Sequence, residues 1–251
     1  MPFKTDVQDK VGQIIFDHPP VNAFSGDMWN ELPELITAMG KRPDVRCVLI
    51  RAEGRGFCAG VDIKELQQNS SAIVEVNRGN FLTFKAVHEC EVPVVSAPHG
   101  YVIGGGIGIC GASDVVIASD DCFFSLPEID RGAMGGAAHL QRMVGLPKMR
   151  AAFFTGGQIT AQEIHRLGGL EKVVAKDDLP AEALAFAGLI AAKSRDALRI
   201  AKQALNGIEP YDVDKFYRWE QGFTFEMYMH EDSQKARDAF VEDGKAAEFD
   251  D

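Results

Sequence analysis

Apolar residues in this chain come in short unbroken runs closed by glycine or proline, with amphipathic stretches between them. Residues 11–17 (VGQIIFD) read as a strand ended by the His18-Pro19-Pro20 turn. Across residues 25–39, Leu32, Leu35, Ile36 and Met39 share one face at helical spacing, and Pro33 is expected early enough in that helix to be tolerated. Residues 46–52 (RCVLIRA) predict a second strand, whose continuous apolar centre suits burial on both faces. The order then recurs: a helix over 78–89, a strand over 92–97, a glycine-rich turn into a helix (GYVIGGGIGICGAS), short strands over 114–118 and 122–125, and a third turn into a helix (PEIDRGAMGGAAHLQRMVG). Strand, turn and helix recurring without sequence identity predict an α/β fold of related units and not a repeat array.

Beyond about residue 180 the pattern changes. The chain becomes alanine-rich, with amphipathic stretches over 180–193 and 195–206 and an aromatic-rich one over 213–229. This sets a core at 1–190 and a C-terminal helical region at 191–251. So apolar a tail needs cover, from its own domain or, as the favoured reading, from a second subunit.

Composition narrows the chemistry. With 251 residues, 46% hydrophobic, the chain has ample material for one core, and its 25 glycines are clustered and not periodic. A net charge of -11 argues against nucleic acid or an anionic membrane as the main partner, while leaving room for a polyanionic small molecule on a local basic patch. Five cysteines, odd in number and mostly in apolar runs, read as reduced core residues; no histidine or cysteine cluster has zinc-ligand spacing. No secretory leader or bilayer-spanning run is apparent, so a cytoplasmic location is the default expectation.

Two glycine-rich turns, each after a buried strand and before a helix, carry the candidate chemistry. Backbone N–H groups at such helix starts are free to face a ligand, and Ala59-Gly60 and Gly104-Gly105-Gly106 let the backbone approach it closely. Two such donors aimed at one oxygen make an oxyanion hole. Neither turn matches a phosphate loop or a dinucleotide fingerprint.

The segments HPPVNAFS, RAEGRGFCAGVDIKEL, APHGYVIGGGIG and FSLPEIDRGAMGG resemble, in order and spacing, the marker segments of the crotonase (enoyl-CoA hydratase/isomerase) superfamily, over essentially the whole chain. The resemblance implies a crotonase (ClpP-like) spiral of ββα units with a helical C-terminal trimerisation region, in a homotrimer or hexamer. It implies a coenzyme A thioester as substrate and no permanently bound cofactor. The N–H groups of Val61 and Gly105 would hold the thioester oxygen. Val21, Ala23, Ala59, Asp62, Ile63, Lys64 and Gly104 would line the coenzyme A cleft. Of two glutamates found in family hydratases, one is present as Glu128; the other position is Gly108, which is expected to free volume for a bulky acyl group. Losing one carboxylate weakens simple hydration and leaves isomerisation open.

The runs SLPEIDRGA and EQGFTFE resemble most a subgroup that hydrolytically opens a ring of a bicyclic β-dicarbonyl acyl-CoA in steroid catabolism. Glu128 would then activate water, with Asp130 as an accessory or as a turn cap. A structural role is favoured for His99 and His139, solvent for Arg78, and interface or core for the 219–228 aromatic stripe. The alternatives of another class are a non-catalytic acyl-CoA-binding protein and, through Ser96 or Ser113, a serine peptidase lacking a matching histidine motif.

Overall fold

The computed structural model describes residues 2–249. An antiparallel hairpin of β1 (Phe3–Gln8) and β2 (Val11–Phe16) opens the chain. The brief β3 (Ala23–Phe24) leads to α1 (Gly26–Lys41), whose Ser25 cap accepts the Met28 N–H. Pro33 lies in the interior of α1, deeper than expected. It cannot donate to the Trp29 carbonyl, and the Thr83 hydroxyl donates to that oxygen instead at 3.2 Å.

Three successive units then repeat a long strand, a short strand and helix. The first is β4 (Cys47–Ala52), β5 (Gly60–Val61), α2 (Ile63–Gln68) and α3 (Ile73–His88). The second is β6 (Val94–Ala97), β7 (Tyr101–Ile103) and α4 (Gly105–Ala112). The third is β8 (Val115–Ser119), β9 (Phe123–Ser125), a 3-10 turn (Glu128–Arg131) and α5 (Ala137–Val144). Next come α6 (Leu146–Thr155), β10 (Gln158–Thr160), α7 (Ala161–Arg166) and β11 (Lys172–Val174). The tail is α8 (Leu179–Ala191), α9 (Arg195–Ile208), α10 (Arg218–Tyr228), entered through a π turn (Val213–Tyr217), and α11 (Glu231–Asp243).

The long strands form a six-stranded sheet, β1-β2-β4-β6-β8-β11, parallel except at its first pair. The short strands form sheets β10-β9-β7 and β3-β5. This is the α/β spiral the resemblance implies. The continuous apolar runs of β2, β4 and β6 follow from burial on both faces. One face, with Ile14, Val48, Ile50 and Val94, joins the main core. The other, with Val11, Leu49, Val95 and Ile117, is covered by Leu179, Ala183, Ala187 and Ala191 of α8. The amphipathic 180–193 stretch thus closes the sheet of its own chain.

Farther on, Lys202 of α9 is buried, with its ammonium 2.6 Å from Asp114 and 3.2 Å from the Val87 carbonyl. All five cysteines are buried thiols. No helix of the described residues is long and apolar enough to cross a membrane.

Candidate active site

Strand pairing brings the two glycine-rich turns together. Cys58 bridges to Val102 in parallel, and the Ile103 N–H donates to the Cys58 carbonyl at 2.9 Å, so the first turn runs alongside the strand that enters the second. The HPPVNA segment holds the first turn from its other side. Asn22 donates to the Glu53 and Gly56 carbonyls at 3.0 and 2.9 Å, and its own carbonyl accepts the Ala59 N–H at 3.1 Å. Gly60 has φ +82°, and a Cβ there would stand 3.1 Å from the Ile103 carbonyl oxygen and 3.5 Å from the Gly105 nitrogen. Only glycine permits both that backbone conformation and that approach. Gly105 begins α4, so its N–H has no partner within the helix and lies at the positive end of the helix dipole. The Trp29 ring presses on its α-carbon, 2.6 Å from where a Cβ would stand.

The third unit delivers the carboxylate. Pairing of β7 with β9 sets Ile103 against Ser125, which places the turn after β9 beside Gly104. A Cβ on Gly104 would be 2.7 Å from Glu128 Oε1. The other oxygen of Glu128 is shut off from solvent and meets no hydrogen-bond partner among the described residues. Burial pushes the Glu128 carboxyl up to about 8; the nearby Glu220 carboxylate adds to the rise, while Arg131 opposes it. A carboxyl so placed is mostly protonated at neutral pH, with an ionised minority able to take a proton.

These groups face one cavity of about 370 Å³. Its lining includes Val21, Ala23, Ala59, Gly60, Val61, Asp62, Ile63, Lys64, Gly104, Gly105 and Glu128, so these expected site residues come together. Asp62 and Lys64 also have a local role: the Asp62 side chain caps α2 by accepting the Lys64 N–H at 3.0 Å.

Two expected residues lie elsewhere. Gly108 is buried in α4 outside the lining, and the volume its missing side chain leaves is filled by the Phe84 ring, which a Cβ would overlap. That ring itself lines the cavity, so the space beside Gly108 is taken by a wall residue and is not left open. Asp130 is also outside the lining. Its carboxylate points at Gly156, 2.6 Å from where a Cβ would be, because with three residues per turn side chains two apart in a 3-10 turn leave it in different directions. It is no accessory to Glu128, and the turn has no side-chain cap.

The remaining candidates resolve by packing. Arg78 is exposed, pairs with Glu75 at 3.7 Å and lines a larger open groove of about 910 Å³ between α1 and α3 that does not include Glu128. His99 hydrogen-bonds the Gly54 carbonyl at 3.0 Å. His139 is enclosed by Phe84, Tyr211 and Tyr217, and burial holds its pKa down at about 3. Ser96 and Ser113 share a buried 2.7 Å hydrogen bond with each other. Burial pushes the Cys58 thiol up to about 12, which disfavours a nucleophilic thiolate. Among the described residues, no group of three or more His, Cys, Asp or Glu gathers as for a metal ion.

Sequence reasoning missed the far wall. Asn77 and Asn80 of α3, Arg131, Met134, Tyr217, Thr224, Tyr228 and Phe240 also line the cavity. The aromatic stripe therefore divides: Tyr228 faces the site, while Trp219 is 73% exposed. The half-buried Glu220 accepts the Ala137 and Ala138 N–H groups at 2.8 and 3.1 Å, anchoring the start of α5 to α10. No local motif marks these residues, because tertiary packing of the C-terminal helices brings them in.

Comparison with known proteins gives the family. The Enoyl-CoA hydratase/isomerase family profile matches residues 6–251. A (7aS)-7a-methyl-1,5-dioxo-2,3,5,6,7,7a-hexahydro-1H-indene-carboxyl-CoA hydrolase of Rhodococcus jostii (strain RHA1) is 47% identical over 94% of this chain and 93% of its own length. A hydrolase of the same name from Mycobacterium tuberculosis (strain ATCC 25618 / H37Rv) is 47% identical over 91% of this chain and 93% of its own. In fold, the crystal structure of an enoyl-CoA hydratase/isomerase from Xanthobacter autotrophicus Py2 superposes with a TM-score of 0.89 at 24% identity, covering 97% of this chain and 94% of that one. With two glycine turns joined at one cavity and a family match across nearly its whole length, this chain belongs to the enoyl-CoA hydratase/isomerase (crotonase) family.

Proposed function

We propose that this enzyme hydrolytically opens a ring of a cyclic β-keto acyl-CoA. The observation that carries the reading is the pairing of the raised-pKa Glu128 carboxyl with the two-turn cradle, while an aromatic ring fills the space at Gly108. The similar hydrolases are named for a fused bicyclic diketone bearing a coenzyme A thioester, which supports a substrate of that class. Water, deprotonated by Glu128, adds to the ring ketone. The tetrahedral adduct collapses by breaking the carbon–carbon bond to the thioester α-carbon, whose electron pair becomes a thioester enolate. The Val61 and Gly105 N–H groups stabilise that enolate oxygen, and Glu128 returns its proton to the α-carbon.

In this reading Val21, Ala23, Ala59, Asp62, Ile63 and Lys64 follow the coenzyme A portion, and no resident cofactor takes part. The exposed apolar residues Ile200, Ile208, Trp219 and Met229 support burial of the C-terminal helices in a homotrimer or hexamer. Buried thiols suit a reducing cytoplasm. The test is to offer a bicyclic β-keto acyl-CoA, a 3-enoyl-CoA and a 2-enoyl-CoA, and to follow each by mass. Gain of one water by the keto thioester is expected; turnover of the 2-enoyl thioester alone would overturn the reading in favour of hydration.

A further inference from the structure

Arg131 has no part in the steps above, yet it lines the same cavity as Glu128. The two residues are the ends of one 3-10 turn. Side chains three apart on such a turn eclipse each other, with α-carbons about 6 Å apart, so acid/base group and guanidinium rise from one face into one space. Asp130, between them in sequence, is thrown toward Gly156 instead.

The guanidinium is half-buried and lies over the Phe240 ring, 3.6 Å from its centroid. Its hydrogen bond within the chain goes to the Asp130 carbonyl at 3.2 Å; the Asp130 and Glu128 carboxylates act on its charge without being among its hydrogen-bond partners in the described residues. Half-buried guanidinium groups ordinarily find a carboxylate or phosphate, because their donors form a fork that matches two oxygens. Here that fork is left to whatever fills the cavity.

We infer that Arg131 is an anion-binding group of the acyl cavity, placed to hold the oxygen of the ring ketone as water adds to it and the carboxylate that ring opening releases. The inference rests on the ring-opening reading and deepens it. When the water oxygen bonds to the ketone carbon, its proton passes to Glu128 and the carbonyl electron pair moves onto the ketone oxygen. That negative charge needs donors other than the Val61 and Gly105 N–H groups, which take the thioester oxygen. Collapse of the adduct re-forms a carbonyl and breaks the carbon–carbon bond. The released acid then loses a proton to solvent and remains as a carboxylate facing Arg131. A ring-opening enzyme of this kind needs two anion sites, and the cavity wall supplies the second.

The probe is a pair of acyl-CoA ligands that differ at the far end only, heptanedioyl-CoA and heptanoyl-CoA, with binding to the wild type, Arg131→Met, Arg131→Gln and Arg131→Lys followed by calorimetry. The wild type is expected to prefer the dioyl ligand by about 10-fold or more, as for a charge-assisted pair. Arg131→Met and Arg131→Gln should bring the two ligands within about twofold of each other by weakening only the dioyl ligand, and Arg131→Lys should keep part of the preference. If the wild type shows no preference, or if the Met and Gln variants weaken both ligands equally, the inference is overturned. The second result would mean that Arg131 merely packs on Phe240 or touches the coenzyme. Gln serves if Met impairs folding. Failure of the wild type to open a keto thioester would sink the ring-opening reading on its own, since ligand discrimination is read without turnover.

Discussion

At the scale of single residues, the proposed chemistry falls on Glu128, whose environment makes the expectation quantitative. Glu128→Gln should lower kcat by about 10²–10⁴-fold, the usual worth of a general base, with ligand binding little changed. Because the base acts when ionised and its carboxyl is pushed up to about 8, kcat/KM should rise with pH to a midpoint near 8. Stability should move the other way. Between about pH 4.5 and 8 the folded protein holds a proton that the unfolded chain has lost, so wild-type stability falls as pH rises through that window. The melting temperature of Glu128→Gln should therefore gain on the wild type from pH 5 to pH 8 and no further. Gly104→Ala is the steric counterpart. With φ +53° and a Cβ 2.7 Å from Glu128 Oε1, it should cost about 1–3 kcal/mol and much of the activity, measured by denaturant unfolding and turnover.

Most of this scale was legible in the sequence. The glycine turns and Glu128 sit in contiguous motifs whose backbone demands can be read from residue type. Gly108 and Asp130 were misread for one reason: sequence shows that a side chain is missing or near, but not what fills the space or which way it turns. Phe84 comes from another helix, and the 3-10 turn that diverts Asp130 leaves no periodic signature.

At the scale of elements, packing between helices is where sequence falls silent and structure makes predictions. Gly108→Ala should destabilise by about 1–3 kcal/mol through overlap with the Phe84 ring, and Phe84→Leu should recover part of that loss in the double variant. Additive losses in chemical denaturation would contradict the contact. Glu220 joins α10 to α5 and raises the Glu128 carboxyl. Glu220→Gln should keep part of the cap while moving the pH midpoint of kcat/KM downward. The spacing of apolar positions located α1, β2, β4, α8 and α9 well. It gave no hint of β1, whose inner positions are largely exposed, or of α11, whose few buried residues make a weak pattern.

For the whole molecule, the spiral makes a site from distant segments. Each unit sends its short strand against the previous one, so the turns after β7 and β9 arrive beside the first glycine turn, and α10 and α11 complete the wall. The C-terminal region thus lines the cavity as well as presenting a candidate interface. Trp219→Glu with Met229→Glu should lower the assembly state in sedimentation if these exposed apolar residues meet a second subunit. An unchanged mass would assign them to solvent.

In the proposed reaction water attacks a ring ketone while the thioester survives. The most direct measurement is turnover of a bicyclic β-keto acyl-CoA in water enriched in the heavy oxygen isotope, with mass analysis of the product. The predicted result is one heavy oxygen in a new carboxylate on a product that still carries coenzyme A, formed by the wild type and lost in Glu128→Gln. Heavy oxygen in a free acid released together with coenzyme A would contradict it, because the thioester and not the ring would then have been cut.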